Sequence, residues 1–181
     1  MADNERGTNF SSTAGIEHVD GLFGYALALT RNRVNAEDLV QETYVRALKA
    51  GGRLQENSNV KAWLFTILRN IWLNELRKRR SAPAFLTIDD KEVPAESLAG
   101  NELDAHEVLE SNENVQSVQA AIRSLPLPFR EVILMREFEE LSYQEIANVL
   151  GCPTGTIMSR LGRARAKLRE LLADTQIVSQ Y

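Results

Sequence analysis

Five cations in the C-terminal part of the chain share one predicted helix, within the stretch GCPTGTIMSRLGRARAKLRELL at residues 151–172. The single acid of the stretch is Glu170, and the cations are Arg160, Arg163, Arg165, Lys167 and Arg169. Apolar residues recur every three or four positions and predict a buried stripe, made of Ile157, Leu161, Ala164, Leu168 and Leu171. Off that stripe lie side chains suited to hydrogen bonding with phosphates and base edges, namely Thr154, Thr156, Ser159, Arg160 and Arg163.

The segment before this helix indicates how the helix is held. Ser142 and Glu145 predict a capping box that starts a short helix, 142–150, and Gly151 is a helix-ending residue. Pro153 stands where the first residue of the next helix, about 154–172, is expected. Two helices joined by a tight turn form a helix-turn-helix, whose second helix fits a DNA major groove about 12 Å wide. The cationic face is therefore predicted to bind DNA.

The sequence offers little to catalytic or metal chemistry. It has one cysteine, Cys152, and two histidines far apart in the chain. No HExxH, GxSxG or phosphate-binding glycine motif occurs, so we predict a non-enzymatic protein with no metal, no cofactor and no small-molecule substrate. No apolar run approaches the roughly 18–20 residues of a membrane span, and residues 1–15 read as a polar tail rather than a signal peptide. We therefore expect a cytoplasmic protein without membrane insertion.

Charge divides the chain into two blocks. Residues 82–115 hold nine acids against Lys91, a net charge of −8, whereas the whole chain carries −4. The remainder is therefore basic, at +4. Weak periodicity, two prolines and a glycine predict a flexible acidic linker here, with a short helix near 102–113. The linker separates an N-terminal block, 16–81, from a C-terminal block, 116–173, followed by a tail at 174–181, and it leaves their relative placement open.

The N-terminal block reads as three main helices. The first runs from about residue 17 to 31, and the second follows a predicted Asn35 cap and ends at Gly51-Gly52. The third covers about 59–80 after a Ser58 cap and has a wide apolar stripe. Trp63 and Trp72 match this stripe, but Phe65 lies on another face, where aromatics beside Arg and Asn can stack on exposed bases. The Arg and Asn residues concerned are Arg69, Asn70, Asn74 and Arg77.

The C-terminal block begins with two helices before the helix-turn-helix. The first is predicted over 115–125, and Pro126 and Pro128 end it. The second is predicted over 129–139, with an apolar set that comprises Val132, Ile133, Met135 and Phe138. No strand alternation appears in either block, so the fold class is predicted as all-α, with two small helical domains joined by the linker.

Three ordered segments are similar to those of extracytoplasmic-function (ECF) bacterial sigma factors. They are DLVQETYVRAL (38–48), AWLFTILRNIWLNELRKRR (62–80) and LPLPFREVILMREFEELSYQEIANVLGCPTGTIMSRLGRARAKLREL (125–171). The resemblance covers most of 16–172. It implies a protein that binds core RNA polymerase and directs it to promoters. It also implies an N-terminal sigma-2 domain for the −10 element and a C-terminal sigma-4 domain for the −35 element.

The resemblance also assigns residues and partners. The implied polymerase contacts are Asp38, Gln41 and Glu42, which by themselves would read as a solvated helix face. The implied −10 contacts are Asn59, Lys61, Arg69, Asn70, Asn74, Arg77 and Arg80. The implied −35 contacts are Thr154, Thr156, Ser159, Arg160, Arg163, Arg165 and Lys167. The implied partners are the clamp coiled coil and flap of core RNA polymerase, promoter DNA and an anti-sigma factor.

Two features depart from the family pattern, Met158 and the loop GGRLQENSN at 51–59, which matches no one subgroup and leaves the −10 base preference open. Alternatives also remain open on the sequence. Met158 stands where many relatives carry Lys or Arg, which removes a phosphate contact, and Cys152 is expected to pack as a small side chain. A self-sufficient helix-turn-helix regulator would use 35–80 as an effector or dimerisation domain. A protein-binding sigma mimic would carry a receiver domain, for which the chain has no room. An enzyme has the least support.

Overall fold

Every regular element in the described residues is a helix. The computed structural model describes residues 16–50, 59–81 and 113–178. The helices are α1 Val19–Thr30, α2 Arg33–Ala50, α3 Val60–Ser81, α4 Glu113–Ser124, α5 Leu127–Ile133, α6 Tyr143–Leu150 and α7 Thr154–Val178. The predicted all-α class is confirmed, since these ranges contain no strand. Within them, no helix is both long enough and apolar enough to cross a membrane.

Asparagine side chains start both α2 and α3, and neither is the residue predicted to do so. Asn32 Oδ1 accepts a hydrogen bond from the Asn35 N–H at 2.9 Å, so Asn35 lies inside α2 and the predicted Asn35 cap is wrong. The shift follows from the end of α1, where Arg31 adopts a left-handed backbone (φ 54°) and the chain turns at once into α2. At α3, Asn59 Oδ1 accepts from the Ala62 N–H at 3.2 Å. The predicted cap Ser58 lies outside the described residues.

The C-terminal block follows the predicted order with two corrections. The second helix begins at Leu127, with Pro128 in its first turn, and it continues into a π-helical turn over Leu134–Phe138. This turn rotates Phe138 out of the core, where 58% of the residue is exposed, so its predicted place in the apolar set is wrong. The last helix runs six residues past its predicted end at 172. The short helix predicted near 102–113 lies outside the described residues, apart from Glu113 at the start of α4.

The helix-turn-helix itself is as predicted. Ser142 Oγ accepts from the Glu145 N–H, and the Glu145 carboxylate accepts from the Ser142 N–H at 2.7 Å, which completes the capping box. Gly151 ends α6 with φ 64°, a left-handed conformation that glycine adopts without a Cβ penalty. The Pro153 carbonyl then accepts from the Thr156 N–H at 2.9 Å as α7 begins. These local contacts fix the turn between α6 and α7.

One apolar core runs through both blocks. Leu22, Leu64 and Leu68 of the N-terminal block belong to the same buried cluster as Ile146 and Ile157 of the C-terminal block. Helix α6 packs against α3, and α5 approaches α1. The sequence leaves the placement of the two blocks open, and in the structure they share a continuous interior. Burial of apolar area is the main favourable term in such packing.

Candidate nucleic-acid interface

Helix α7 presents one buried and one polar face. Ile157, Leu161 and Ala164 are almost completely buried, as the stripe predicts, while Leu168 and Leu171 are partly buried against the same core. The residues predicted to contact the −35 element lie on the remaining surface. Their exposed members are Ser159, Arg163, Arg165 and Lys167. The half-buried members are Thr154, Thr156 and Arg160.

The cations of α7 differ in their existing partners. Arg165 Nη2 lies 2.7 Å from Oε1 of Glu137, and this hydrogen bond raises the pKa of Arg165. Lys167 Nζ lies 3.0 Å from Glu170 Oε2. Arg160 and Arg163 form no ion pair with any described residue. Neither guanidinium group has to break an ion pair with a described residue before it donates hydrogen bonds to a phosphate or a base edge.

Helix α3 carries the residues predicted to contact the −10 element, and its N-terminal part faces the C-terminal block. Lys61 Nζ lies 2.8 Å from Glu139 Oε2 and donates to the Glu139 carbonyl at 2.8 Å. Asn59 Nδ2 donates to Oε1 of Glu145. Thus two donors of the predicted −10 surface are bound to glutamates of the opposite block.

Glu131 is the centre of the buried contact between the blocks. It is 3% exposed, and its Oε1 accepts from Tyr25 Oη at 2.8 Å and from Arg69 Nε at 2.9 Å. Burial, followed by the charge of Glu131, raises the pKa of Tyr25 well above its usual value. Burial lowers the pKa of Arg69, but the charge and hydrogen bond of Glu131 outweigh this effect and raise it overall. Glu131 therefore holds a neutral phenol and a charged guanidinium together.

Arg130 also connects the two blocks, by donating hydrogen bonds to backbone carbonyls. Its Nη1 donates to the Ala28 carbonyl in α1 at 2.8 Å, across the two blocks. Its other nitrogens donate to carbonyls within the C-terminal block, those of Ile122, Arg123 and Leu125. Burial, with a smaller effect from Arg31, lowers the pKa of Arg130 to about 10. Sequence reasoning missed Arg130 and Glu131, although adjacent charges within an apolar helix are a signal for a paired buried site.

The distal part of α3 is open. Asn70, Asn74 and Arg77 are exposed, and Arg77 Nη1 donates to Asn74 Oδ1 at 3.0 Å. The side chain of Arg80, also predicted to bind DNA, lies outside the described part of the chain. The predicted −10 residues therefore divide into a covered group near the start of α3 and an exposed group farther along.

The aromatic residues of α3 are mainly core residues. Trp72 is buried, as its position on the stripe predicts, and Trp63 is half-buried. Phe65 is 0% exposed, and its ring centroid lies 5.2 Å from that of Tyr25, so the prediction of an open stacking face is wrong. The physical reason is that α1 and the C-terminal block cover the second face of α3, which a single-helix pattern does not reveal.

An exposed stripe follows the outer surface of α2. Its apolar members are 63% exposed at Val34, 42% at Val45 and 55% at Leu48. The residues predicted to contact polymerase lie among them, with Asp38 and Gln41 exposed. Glu42 Oε1 is 2.7 Å from Arg46 Nε. Since positions 34, 38, 41, 45 and 48 alternate by four and three, they share one face of the helix.

The described ranges show no site for metal chemistry. No group of three or more His, Cys, Asp or Glu residues placed to hold a metal ion occurs among them. Cys152 is half-buried beside the core, consistent with its expected packing role.

Comparisons with known proteins agree with this arrangement. The family model for sigma-70 region 2 matches residues 16–82, and that for sigma-70 region 4 matches residues 116–168. The ECF RNA polymerase sigma factor EcfG of Rhodopseudomonas palustris is 37% identical over 85% of this chain and 80% of its own length. The RNA polymerase sigma-H factor of Pseudomonas aeruginosa is 31% identical over 83% and 80%.

Solved structures give the same result. The sigma factor RpoE of Bartonella quintana, in complex with the anti-sigma factor NepR, matches with a TM-score of 0.70 and 31% identity, over 89% of this chain and 95% of that one. CnrH, in complex with the cytosolic domain of CnrY, matches with a TM-score of 0.60 and 26% identity, over 90% and 86%. The chain therefore belongs to the ECF family of RNA polymerase sigma factors, which are non-enzymatic proteins that direct promoter-specific transcription initiation.

Proposed function

We propose that residues 16–81 and 116–173 act as separate promoter-reading domains on one polymerase-bound chain. The N-terminal domain binds core polymerase through α2 and the −10 element through α3. The C-terminal domain reads the −35 element through α7. The observation that carries this proposal is the division of α7 into an apolar stripe, buried at Ile157, Leu161 and Ala164, and a polar face. On that face Arg160 and Arg163 form no ion pair with the described residues.

The −35 assignment rests on the geometry of the helix-turn-helix. Ile157 and Leu161 anchor α7 on the core, so its opposite face projects from the protein. Arginine recognises guanine edges and phosphates by paired hydrogen bonds, and threonine and serine hydroxyls add shorter-range contacts. Met158, 56% exposed on this helix, contributes no charge to phosphate binding.

The polymerase assignment rests on the α2 stripe. Exposed apolar side chains next to carboxylates form a surface suited to a partner helix with basic residues. Asp38, Gln41 and Glu42 supply the polar contacts, and Val34 and Leu48 supply apolar area. We propose the clamp coiled coil of core polymerase as the partner of this stripe, with the polymerase flap as a partner of the C-terminal domain.

The compartment and regulation follow from the same function. The protein works in the cytoplasm, where core polymerase and promoter DNA are found. The Bartonella quintana relative is bound by an anti-sigma factor. We propose that an anti-sigma factor also controls this chain.

Transcription with purified components tests the proposal. Core polymerase alone is compared with core polymerase plus this chain, on genomic fragments of its native organism, and the transcripts are sequenced. We expect specific start sites that require both proteins, each preceded by common −10 and −35 sequences. Start sites that are unchanged when the chain is omitted would contradict the proposal.

A charge reversal on α2 tests the polymerase surface. Glu42→Lys places a cation beside the stripe and should weaken co-purification with core polymerase at least severalfold. The fold should persist, because the ion pair of Glu42 with Arg46 is exposed and such pairs contribute about 0.3–0.5 kcal/mol. Glu37→Lys, which breaks the comparable exposed pair with Arg33 on the same helix, is the matched control. Equal co-purification of wild type and Glu42→Lys would argue against the assigned surface.

A further inference from the structure

Two arginines of α7 lie on opposite sides of its buried stripe. Arg163 directly precedes the buried Ala164, and Arg165 directly follows it. Since each residue turns an α-helix by about 100°, the two guanidinium groups leave the stripe in different directions. Met158 shares the side of Arg165, because positions seven apart return to the same face. The polar surface of α7 therefore has two edges, one with Arg163 and one with Met158 and Arg165.

The arginines on these two edges differ in what they already bind. Arg165 donates through Nε at 3.1 Å and through Nη2 at 2.7 Å, and both hydrogen bonds end on Oε1 of Glu137. Arg163 forms no ion pair with any described residue. Met158, on the edge of Arg165, is 56% exposed and carries no charge. The charge that follows Ala164 is thus neutralised within the protein, whereas the charge that precedes it is not.

The π-helical turn before the helix-turn-helix supplies the acid. Glu137 belongs to this turn, in which Met135 is completely buried and Glu137 is exposed. Its neighbour Arg136 is engaged elsewhere, since it donates to the Leu141 carbonyl at 2.9 Å and lies over the ring of Tyr143. Among the described residues, Arg165 is the one cation that pairs with Glu137. The pair joins two elements of the C-terminal domain and involves no residue of the N-terminal domain.

A phosphate group could take the place of this carboxylate. The side chains of Arg165 and Glu137 are 48% and 44% exposed, so solvent and a DNA backbone can reach the pair. Arginine binds carboxylates and phosphates through the same N–H groups. The same guanidinium nitrogens cannot donate fully to Glu137 and to a phosphate at once, so the two acceptors compete for Arg165.

We propose that Glu137 limits the affinity of α7 for duplex DNA by withholding Arg165 from the phosphates. Phosphate contacts position a protein on DNA without reading its sequence, so the effect applies to any duplex. The inference rests on the proposed binding of duplex DNA by α7. It adds that the sequence-independent part of this binding is lower than the cations of the helix would otherwise give.

Removal of the acid should increase binding. Glu137→Gln in the full chain should bind a short fluorescent duplex of arbitrary sequence about two- to fivefold more tightly at low salt, the range expected when an exposed ion pair no longer competes. One more phosphate contact should also steepen the plot of log affinity against log salt by about 0.9. Fluorescence anisotropy over a salt series measures both quantities. A merely structural role of the pair would not steepen this plot.

Two further variants identify the source of the gain. Glu140→Gln makes the same charge change three positions away, at an exposed residue that forms no ion pair with any described residue, and should match the wild type. In an Arg165→Gln background, Glu137→Gln should no longer change the affinity or the salt dependence, because the two substitutions act on one contact.

Several results would overturn the inference. These are an unchanged or weaker affinity of Glu137→Gln, including no binding at all, an equal gain in Glu140→Gln, or a gain that persists without Arg165. Core-dependent transcription is measured separately with the wild-type chain. Its absence, together with the expected gain in duplex binding, would count against the proposed function rather than against the role of Glu137.

Discussion

The two helices that carry the predicted DNA-binding residues differ in what their polar side chains contact. On α7, Arg160 and Arg163 project from a helix whose apolar stripe is buried within its own domain. On α3, Lys61 and Arg69 are held by glutamates of the other domain. Arg160 and Arg163 thus form no ion pair with the described residues, whereas Lys61 and Arg69 already have acidic partners.

The difference shows how the position of a donor determines its use. An exposed guanidinium retains its hydration and its freedom to select a partner. A partly buried guanidinium needs an acceptor, because leaving it without a hydrogen-bond partner is costly. Arg69 therefore has Glu131, and Glu131 also satisfies Tyr25. Three predictions test this contrast, beginning with the largest expected effect.

Removing the carboxylate at the centre of the junction should have the largest effect. Glu131→Ala leaves a partly buried guanidinium and a buried phenol without their acceptor, and we expect the free energy of unfolding to fall by about 3–5 kcal/mol. Chemical denaturation measures the change. Tyr25→Phe removes one hydrogen bond and keeps the Arg69 pair, so it should cost about 1 kcal/mol. Equal, small losses in both variants would mean that Glu131 does not hold the junction.

Truncation on the open face should affect DNA binding and leave stability nearly unchanged. Arg160→Ala and Arg163→Ala should each weaken binding of the polymerase-bound protein to a −35 duplex by about 1–3 kcal/mol. The control is Arg123→Ala, an exposed arginine on α4 that changes the charge equally. Fluorescence anisotropy over a range of salt concentrations provides the measurement. Wild-type affinity in both α7 variants would refute the assigned face.

The smallest expected effect concerns Glu145, which belongs to the capping box of α6 and also touches α3. Burial raises its pKa, but hydrogen bonds from Ser142 and Asn59 outweigh this effect, and the net pKa lies below the ordinary 4.5. The charged form therefore stabilises the fold above pH 4.5, and this contribution is lost as the pH falls through the lowered pKa.

Glu145→Gln keeps a capping partner and removes the charge. Its stability should be lower than that of the wild type by about 0.3–1 kcal/mol near neutral pH. The difference should shrink as the solution is acidified below pH 4.5. Thermal unfolding at several pH values measures it, and a constant difference across that range would contradict the role of the charge.

Local patterns in the sequence were sufficient for much of the fold. The capping box at Ser142, the stop at Gly151 and the stripe through Ile157 and Leu161 depend on residues a few positions apart, and all are present in the structure. Predictions from these local patterns were wrong where another segment of the chain packs against the residue or sets where its helix begins. Phe65 lies off the apolar stripe of α3 and is nevertheless buried against Tyr25. Asn35 is a suitable cap, but the turn at Arg31 places the start of α2 earlier.

The sequence by itself therefore determined the helices, their approximate order and the polar face of α7, because helix periodicity and capping are short-range properties. Only the tertiary structure decided which hydrogen-bond donors on these helices already have an acceptor within the protein. Lys61 and Glu139 are separated by 78 positions, and Tyr25 and Glu131 by 106. No local pattern relates such residues, since their contact depends on how the two domains bury a common core. That packing leaves the α7 surface open and covers the start of α3.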